Sequence, residues 1–318
     1  MEFGSFDIGL LAALDALLTE KGVTRAGERL HLSQPATSLI LARLRQYFGN
    51  ELLVKSGRKM ILTPLGESLV QPVRRCLLQI QHTVAAKAEF RPADSRRTFR
   101  LALSDHATAV IMPAVMQKAA RQAPGVRFEL VRLDESIDQK LEKGEIDFLI
   151  RPAVHALASH PKEPLFEDTH VCVVWRNNSR IGKTISRKEF LDSGHVAVHF
   201  GHAPAILEQW FAARFGDVIR IEVITQDFEL ACRLVVGTDR IATVLSRSAR
   251  LCARHLPLRL VRPPFAIPTV THCVQWHRYQ DQDPGHLWLR TILRQAGGTL
   301  RSSEAAKTLA AVESQPKL

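Results

Sequence analysis

Cysteine is scarce in this chain of 318 residues, and its five copies (Cys76, Cys172, Cys232, Cys252 and Cys273) are scattered, with no C-x-x-C pair. That excludes a disulfide framework and fits buried thiols in a reduced, cytoplasmic protein. Long apolar runs are missing too, so no membrane span is expected, and the N-terminus lacks the charged and apolar regions of a secretory signal. There is no G-x-S-x-G elbow, P-loop or G-x-G-x-x-G fingerprint. Nothing points to an enzyme, catalytic residues are not expected, and no cofactor is implied. His195, His199 and His202 invite a metal reading. However, His195 and His199 stand four apart on one strand, with no acidic or thiol ligand close by in sequence, so no metal site is expected.

Acidic charge is also in deficit. Lys and Arg number 43 against 32 Asp and Glu, a formal net charge of +11, while 46% hydrophobic and 24% charged content are those of a soluble globular protein. A basic excess favours a polyanionic partner, and its position is informative. Between Ser33 and Lys59 the basic residues are Arg43, Arg45, Lys55, Arg58 and Lys59, opposed only by Glu51.

That segment carries the strongest local pattern. Asp7 suits the N-cap of a helix through Ile8, Leu11, Leu14, Leu17 and Leu18, with Gly22 at its C′ position. Thr24 suits the cap of a short helix, Arg25 to Leu30. After a tight turn, Ser33 and Pro35 open a third helix. Ala36, Ile40, Leu41, Leu44 and Phe48 share one face of it; Gln34, Ser38, Ala42 and Arg45 occupy the other, with Arg43 on the flank. Two helices joined by a tight turn, the second presenting hydrogen-bonding groups, make a helix-turn-helix whose second helix suits a DNA groove. An ordinary three-helix bundle satisfies the same periodicity. Leu52–Val54 and Met60–Leu62 flank Ser56-Gly57 as a hairpin, a wing whose Arg58 and Lys59 would meet phosphate or the minor groove; a solvated basic turn is the alternative.

Thr63-Pro64 opens a long helix in which Leu65, Leu69, Val73, Cys76, Leu77, Ile80 and Val84 form an apolar seam, with Pro72 inside it. The seam needs a partner, either a second copy of the helix or the rest of its own chain. Residues 91–97 read as a linker. Beyond them strands and helices alternate in two sets, an α/β pattern with largely parallel strands. Two connections, near 163–167 and 257–264, would join the sets as two lobes. Residues 299–318 read as a disordered tail.

Ala26, Leu30, Leu32-Ser-Gln-Pro-Ala-Thr-Ser38 and Arg43-Leu44 resemble the N-terminal signature of LysR-type transcriptional regulators. Arg43-Leu-Arg-Gln-Tyr-Phe48, Ile146-Asp-Phe-Leu-Ile150, His160-Pro-Lys162, Val171-Cys-Val173, Gly194-His-Val-Ala-Val198 and Val274-Gln-Trp276 are similar to the NodD branch. The resemblance implies a winged helix-turn-helix at 6–63, a linker dimerisation helix at 64–90 and a two-lobed, periplasmic-binding-protein-like α/β effector domain at 97–298. It also implies double-stranded promoter DNA, a homodimer or homotetramer and RNA polymerase as partners, and a small aromatic or phenolic effector.

On this reading Ser33, Gln34, Pro35, Thr37, Ser38, Arg43, Arg45, Arg58 and Lys59 would meet DNA. The effector would meet strand-to-helix junctions: Ser104, Asp105 and His106; Arg151; His199 and Phe200; Asp227 and Phe228. Three departures from the family pattern bear on the target sequence. Gly27 replaces a usual Ala and should loosen its helix by on the order of 1 kcal/mol. Leu39 could touch a thymine methyl, and Leu53-Val54 stand where Phe is frequent. A solute-binding clamshell and a cytosolic enzyme with a fused N-terminal domain are the rival readings.

Overall fold

The computed structural model describes residues 6–57, 59–85, 90–200, 206–216 and 219–313. The chain divides into two compact units, residues 1–89 and 90–318. The first comprises α1 (Ile8–Glu20), α2 (Val23–Leu30), α3 (Gln34–Phe48), β1 (Leu53–Ser56), β2 (Lys59–Leu62) and α4 (Pro64–Ala85). Asp7 caps α1 by accepting the Leu10 N–H at 2.7 Å, and Ser33 caps α3 by accepting that of Ala36. The left-handed residue that ends α1 is Lys21 rather than Gly22, which instead precedes α2, so α2 begins one residue before Thr24.

Leu14, Leu17, Leu18, Ala26, Leu41, Leu44, Leu52 and Leu53 form the core of this unit. Full burial of each of these leucines contributes about 1.5–3 kcal/mol. Within the core lies a carboxylate: Asp15 of α1 accepts from Arg29 of α2 at 2.8 Å and from Arg74 of α4 at 2.7 Å. One anion therefore ties three helices. The α4 seam is divided. Val73 belongs to the core, and Leu65, Leu69, Val70 and Leu77 pack against it. The first half of the seam is thus covered by its own chain, which corrects the expectation that Leu69 and Val73 face a second copy. Pro72 is exposed and α4 continues through it.

The second unit contains two five-stranded sheets. The first lobe uses β3 (Thr98–Leu103), α5 (Asp105–Gln122), β4 (Arg127–Val131), α6 (Ile137–Glu142), β5 (Phe148–Pro152) and β6 (Lys162–Asp168). The second uses β7 (His170–Trp175), α7 (Arg187–Asp192), β8 (His195–Val198), α8 (Ile206–Phe215), β9 (Ile221–Thr225), α9 (Phe228–Leu234), β10 (Ile241–Leu245), α10 (Ser246–Cys252) and β11 (Leu258–Val261). The chain then returns to the first lobe as β12 (Val270–Gln275) and α11 (Pro284–Glu313).

Strand orders are β4-β3-β5-β12-β6 and β11-β7-β10-β8-β9. Three strands of each sheet pair in parallel, and one strand, β12 or β7, runs against both of its neighbours, β5 and β6 or β10 and β11. These reversed strands are the ones by which the chain enters each lobe from the other, so the sheets are mixed, with four of the five strands in each running in one direction. The crossings themselves lie at Thr169 and at 262–269, just beyond the stretches expected: 163–167 is inside β6 and 258–261 is β11.

Three other boundaries move. Phe90 packs on Phe99 and Trp288, and Arg97 pairs with Asp283 at 2.7 Å, so residues 90–97 belong to the two-lobed unit. Helix α10 was not expected, because Ser246-Arg-Ser-Ala-Arg shows little apolar periodicity. At the other end α11 runs on to Glu313, where a disordered tail was expected. The Ala-rich stretch after residue 303 has high intrinsic helix propensity, and it continues a helix already nucleated by Leu289, Ile292 and Leu293 in the lobe core.

Replacing Asp15 with Asn leaves Arg29 and Arg74 without their shared anion. Denaturant unfolding of the N-terminal unit should show a loss of about 2–4 kcal/mol. A midpoint equal to wild type would mean the anion does not tie the helices.

Candidate DNA-binding surface and interlobe cavity

Helix α3 is sided as its spacing predicts. Leu41 and Leu44 are buried, and Ser33, Gln34, Pro35, Ser38, Ala42 and Arg43 are exposed. Leu39 is 74% exposed beside them, and no core contact accounts for it. Two expected DNA contacts are placed elsewhere. Thr37 is fully buried, its hydroxyl donating to the Ser33 carbonyl at 3.0 Å. A Cβ on Gly27 would lie 2.8 Å from that hydroxyl oxygen and 2.9 Å from the Leu32 carbonyl. Gly27 therefore lets α2 and α3 close tightly, a gain that offsets the helix-propensity cost expected of it.

Arg45 is engaged beyond the helix. Its guanidinium donates to the carbonyls of Glu51 at 2.9 Å and Leu53 at 2.8 Å, and pairs with the Glu51 carboxylate. It braces the start of the wing and is not available to read bases. The wing is a two-residue hairpin in which Ser56 faces Lys59, with Gly57 at φ +61° as such turns require. Lys55 and Lys59 are exposed there. Arg58 lies outside the described residues.

In the second unit a cavity of about 500 Å³ lies between the lobes. Ser104, Arg151, Phe200 and Phe228 line it, as expected. Ser104 also caps α5 by accepting the Ala107 N–H at 3.2 Å. Arg151 is nearly buried, 2.7 Å from the Asp138 carboxylate of α6. Phe200 and Phe228 form an aromatic corner, their centroids 5.9 Å apart.

The other four expected residues are not in the wall. His106 is fully buried behind it, its Nδ1 2.7 Å from the Ser248 hydroxyl and its ring packed on Phe166, Phe228 and His272. Asp105 accepts the Glu229 N–H at 3.0 Å, and Asp227 pairs with Arg132. Each of these joins the first lobe to the second beside a separate, smaller hollow. His199 holds Glu208, a wall residue, at 2.8 Å. Gly201 and His202 lie outside the described residues.

The wall also contains residues that the strand-end rule passed over. His155, His170, His195 and His272 line it, as do Leu133–Glu135, Ile137 and Asp138 around the start of α6. Burial lowers the pKa of His170, His195 and His272 to about 4, so all three rings are neutral near pH 7. The Nε2–H of His195 donates to the Phe190 carbonyl at 2.8 Å, which leaves Nδ1 as an acceptor. The cavity thus offers neutral imidazoles, two phenyl faces, several carboxylates and one guanidinium already paired.

Residues 8–67 match the family model for the bacterial regulatory helix-turn-helix protein of the lysR family, and residues 92–298 match that for the LysR substrate binding domain. The chain belongs to the LysR family of transcriptional regulators. These are DNA-binding regulators, and this LysR-type regulator is similar over its whole length to proteins named nodulation protein D. Nodulation protein D 1 of Bradyrhizobium sp. (strain NC92) is 41% identical over 96% of this chain and 98% of its own. Its namesake in Rhizobium meliloti (strain 1021) is 43% identical over 93% and 96%. Among solved structures, a probable transcriptional regulator of Pseudomonas aeruginosa superposes with TM-score 0.64 at 27% identity, covering 91% of this chain and 97% of its own. Full-length CbnR with its target DNA shares the fold, with TM-score 0.51 at 18% identity over 93% and 100%. Among the described residues of this regulator, no helix is long and apolar enough to cross a membrane.

Buried imidazoles in the wall give the two-lobed unit an acid limit. His195 and His272 protonate near 6.5 when unfolded and near 4 when folded. Between those values the unfolded chain binds more protons. Stability is therefore complete above about pH 6.5 and falls as pH drops toward 4, by up to ~1.4 kcal/mol per pH unit for each ring. Unfolding free energies from pH 8 to 4 should show this decline, shallower in His272→Gln. A flat profile would contradict the neutral, buried assignment.

Proposed function

We propose that this regulator acts in the cytoplasm at nodulation-type promoters, and that a small planar phenol, of the flavonoid kind, modulates it from the interlobe cavity. What carries this reading is the chemistry of the cavity wall. Its volume lies within the roughly 300–1,000 Å³ of small-molecule sites. Phe200 and Phe228 offer faces for an aromatic ring, and Ser104 and the neutral imidazoles offer partners to hydroxyls. Asp134, Glu135, Asp138 and Glu208 outnumber Arg151, so a phosphorylated or carboxylate metabolite would meet repulsion. A sugar would call for more paired polar groups. The nodulation protein D relatives support the same pathway.

DNA recognition is assigned to Gln34, Ser38, Leu39 and Arg43 on the outer face of α3, positioned by Ser33 and Pro35, with Lys59 and Arg58 at the wing on phosphate. Arg45 acts as the brace of that wing. Self-association through the second half of the α4 seam, where Cys76 is exposed and Ile80 half-exposed, would present two such units to a promoter. RNA polymerase is the expected further partner.

In mobility shifts with promoter and scrambled DNA, Gln34→Ala should lose about 1–3 kcal/mol of discrimination, whereas Lys59→Ala should weaken both complexes alike and reduce the salt slope by about one. If Gln34→Ala keeps the wild-type ratio, α3 is not the reading helix. Calorimetry with hydroxylated aromatics should show binding to wild type that weakens at least tenfold in Phe228→Ala. Sugars or phosphates binding better than aromatics would overturn the effector assignment.

A further inference from the structure

Apart from the cavity and the DNA surface, one cluster of side chains has the makings of a site. Glu142 at the end of α6, His160 just before β6 and His277 just after β12 each present one ligand atom, and these lie within 4.8 Å of one another. The imidazole rings stand 4.8 Å apart, centroid to centroid, and His160 Nε2 is 3.1 Å from Glu142 Oε1. Both histidines are buried, and the His160 side chain has no exposed surface.

A second observation concerns His160 alone. Neither of its ring nitrogens makes a well-directed hydrogen bond among the described residues. Buried polar atoms are nearly always satisfied, yet here Nδ1 meets no partner and Nε2 has only the Glu142 carboxylate beside it.

We propose that Glu142, His160 and His277 bind a divalent transition metal, with zinc the best match. Two imidazoles and one carboxylate are a donor set that zinc accepts readily, with a fourth position left to water. Bonds of about 2.0–2.1 Å place tetrahedral ligands roughly 3.3 Å apart, so atoms that now lie within 4.8 Å of one another must close by up to about 1.5 Å, which side-chain rotation can supply. Ser159 donates to Glu142 Oε1 at 3.3 Å and so orients one of the three ligands, whereas His277, whose Nδ1 accepts the Tyr279 N–H at 3.2 Å, has to give up that hydrogen bond to free a ring nitrogen for the ion. Glu142 is partly exposed and gives an ion a route from solvent. The three residues are 18 and 117 positions apart, from 142 to 160 and from 160 to 277, which is why the sequence showed no ligand spacing.

The location gives such an ion a role. Helix α6 ends in Glu142 and begins with Ile137 and Asp138, both in the cavity wall. An ion holding Glu142 to the strands that follow His160 and precede His277 would pin α6, and with it the partner of Arg151.

The test uses full-length protein stripped with a chelator and desalted, titrated with Co²⁺ by visible absorption and with Zn²⁺ by calorimetry. Expected are one ion per chain, a tetrahedral Co²⁺ band, and affinity reduced at least tenfold in both His160→Gln and Glu142→Gln. His255→Gln, at an exposed histidine outside the cluster, should bind as wild type does. Circular dichroism and melting temperature establish that the variants are folded, and Glu142→Gln, at a partly exposed position, decides the case if His160→Gln is not. Absence of stoichiometric binding by wild type, or wild-type affinity in folded Glu142→Gln, would overturn the proposal. Neither result bears on whether aromatics occupy the cavity.

Discussion

Asp168 is a carboxylate without solvent at the point where the chain first leaves one lobe for the other, and the two-lobed unit is built around satisfying it. Its oxygens accept from the Ser246 hydroxyl at 2.7 Å, from the Thr169 N–H at 2.8 Å and from the Arg247 N–H at 3.2 Å. Burial pushes its pKa up while these three donors pull it back, the Ser246 hydroxyl most strongly. Hydrogen bonds to a charged group are worth about 1.5–3 kcal/mol each, and an unmet one in the interior costs more. Because the donors from Ser246 and Arg247 begin α10 in the second lobe and Asp168 ends β6 in the first, their relative placement is constrained at the hinge. His106, 3.6 Å from Asp168 and bonded to Ser248, extends the same knot to α5. The lobes are joined at this cluster and again at the Arg132–Asp227 and Asp105–Glu229 contacts.

The DNA-binding unit solves a related problem with a different carboxylate. Asp15 gathers an arginine from α2 and another from α4, so the helix that leads out of the unit is locked to the helices that frame α3. Arg45 then locks α3 to the wing. Helix α3 and the wing are therefore tied to each other, and the exposed face of α3 is left with Gln34, Ser38, Leu39 and Arg43, whose side chains suit base edges and thymine methyls.

Sidedness was legible in the sequence wherever one element decided it. The apolar stripe of α3, the cap at Ser33, the wing turn at Gly57 and the alternation of strands and helices each follow from local spacing. What escaped were facts set by distant residues. Thr37 looks exposed on a helical wheel until Gly27, ten positions earlier, is seen to accept it. Leu69 and Val73 form half of a seam that α1 already covers. The rule that ligands meet strand ends located Ser104, Arg151, Phe200 and Phe228, but it cannot say which of several neighbours at one junction faces inward. Thus Ser104 reaches the wall and His106, two residues on, lies behind it. The imidazoles of His170, His195 and His272 come from strand interiors or strand starts, and only the facing of the two sheets brings them together.

The account stands or falls on whether filling the cavity changes how the regulator engages DNA. A coupling of about 1–3 kcal/mol between the two sites suffices to alter promoter occupancy. Nuclease footprinting of the full-length protein on its promoter, with and without a saturating hydroxylated aromatic, measures this directly. The account predicts that the aromatic changes the length or pattern of protection by wild type and leaves that of Phe228→Ala unchanged. A wild-type footprint identical in the presence and absence of every aromatic that binds would contradict it.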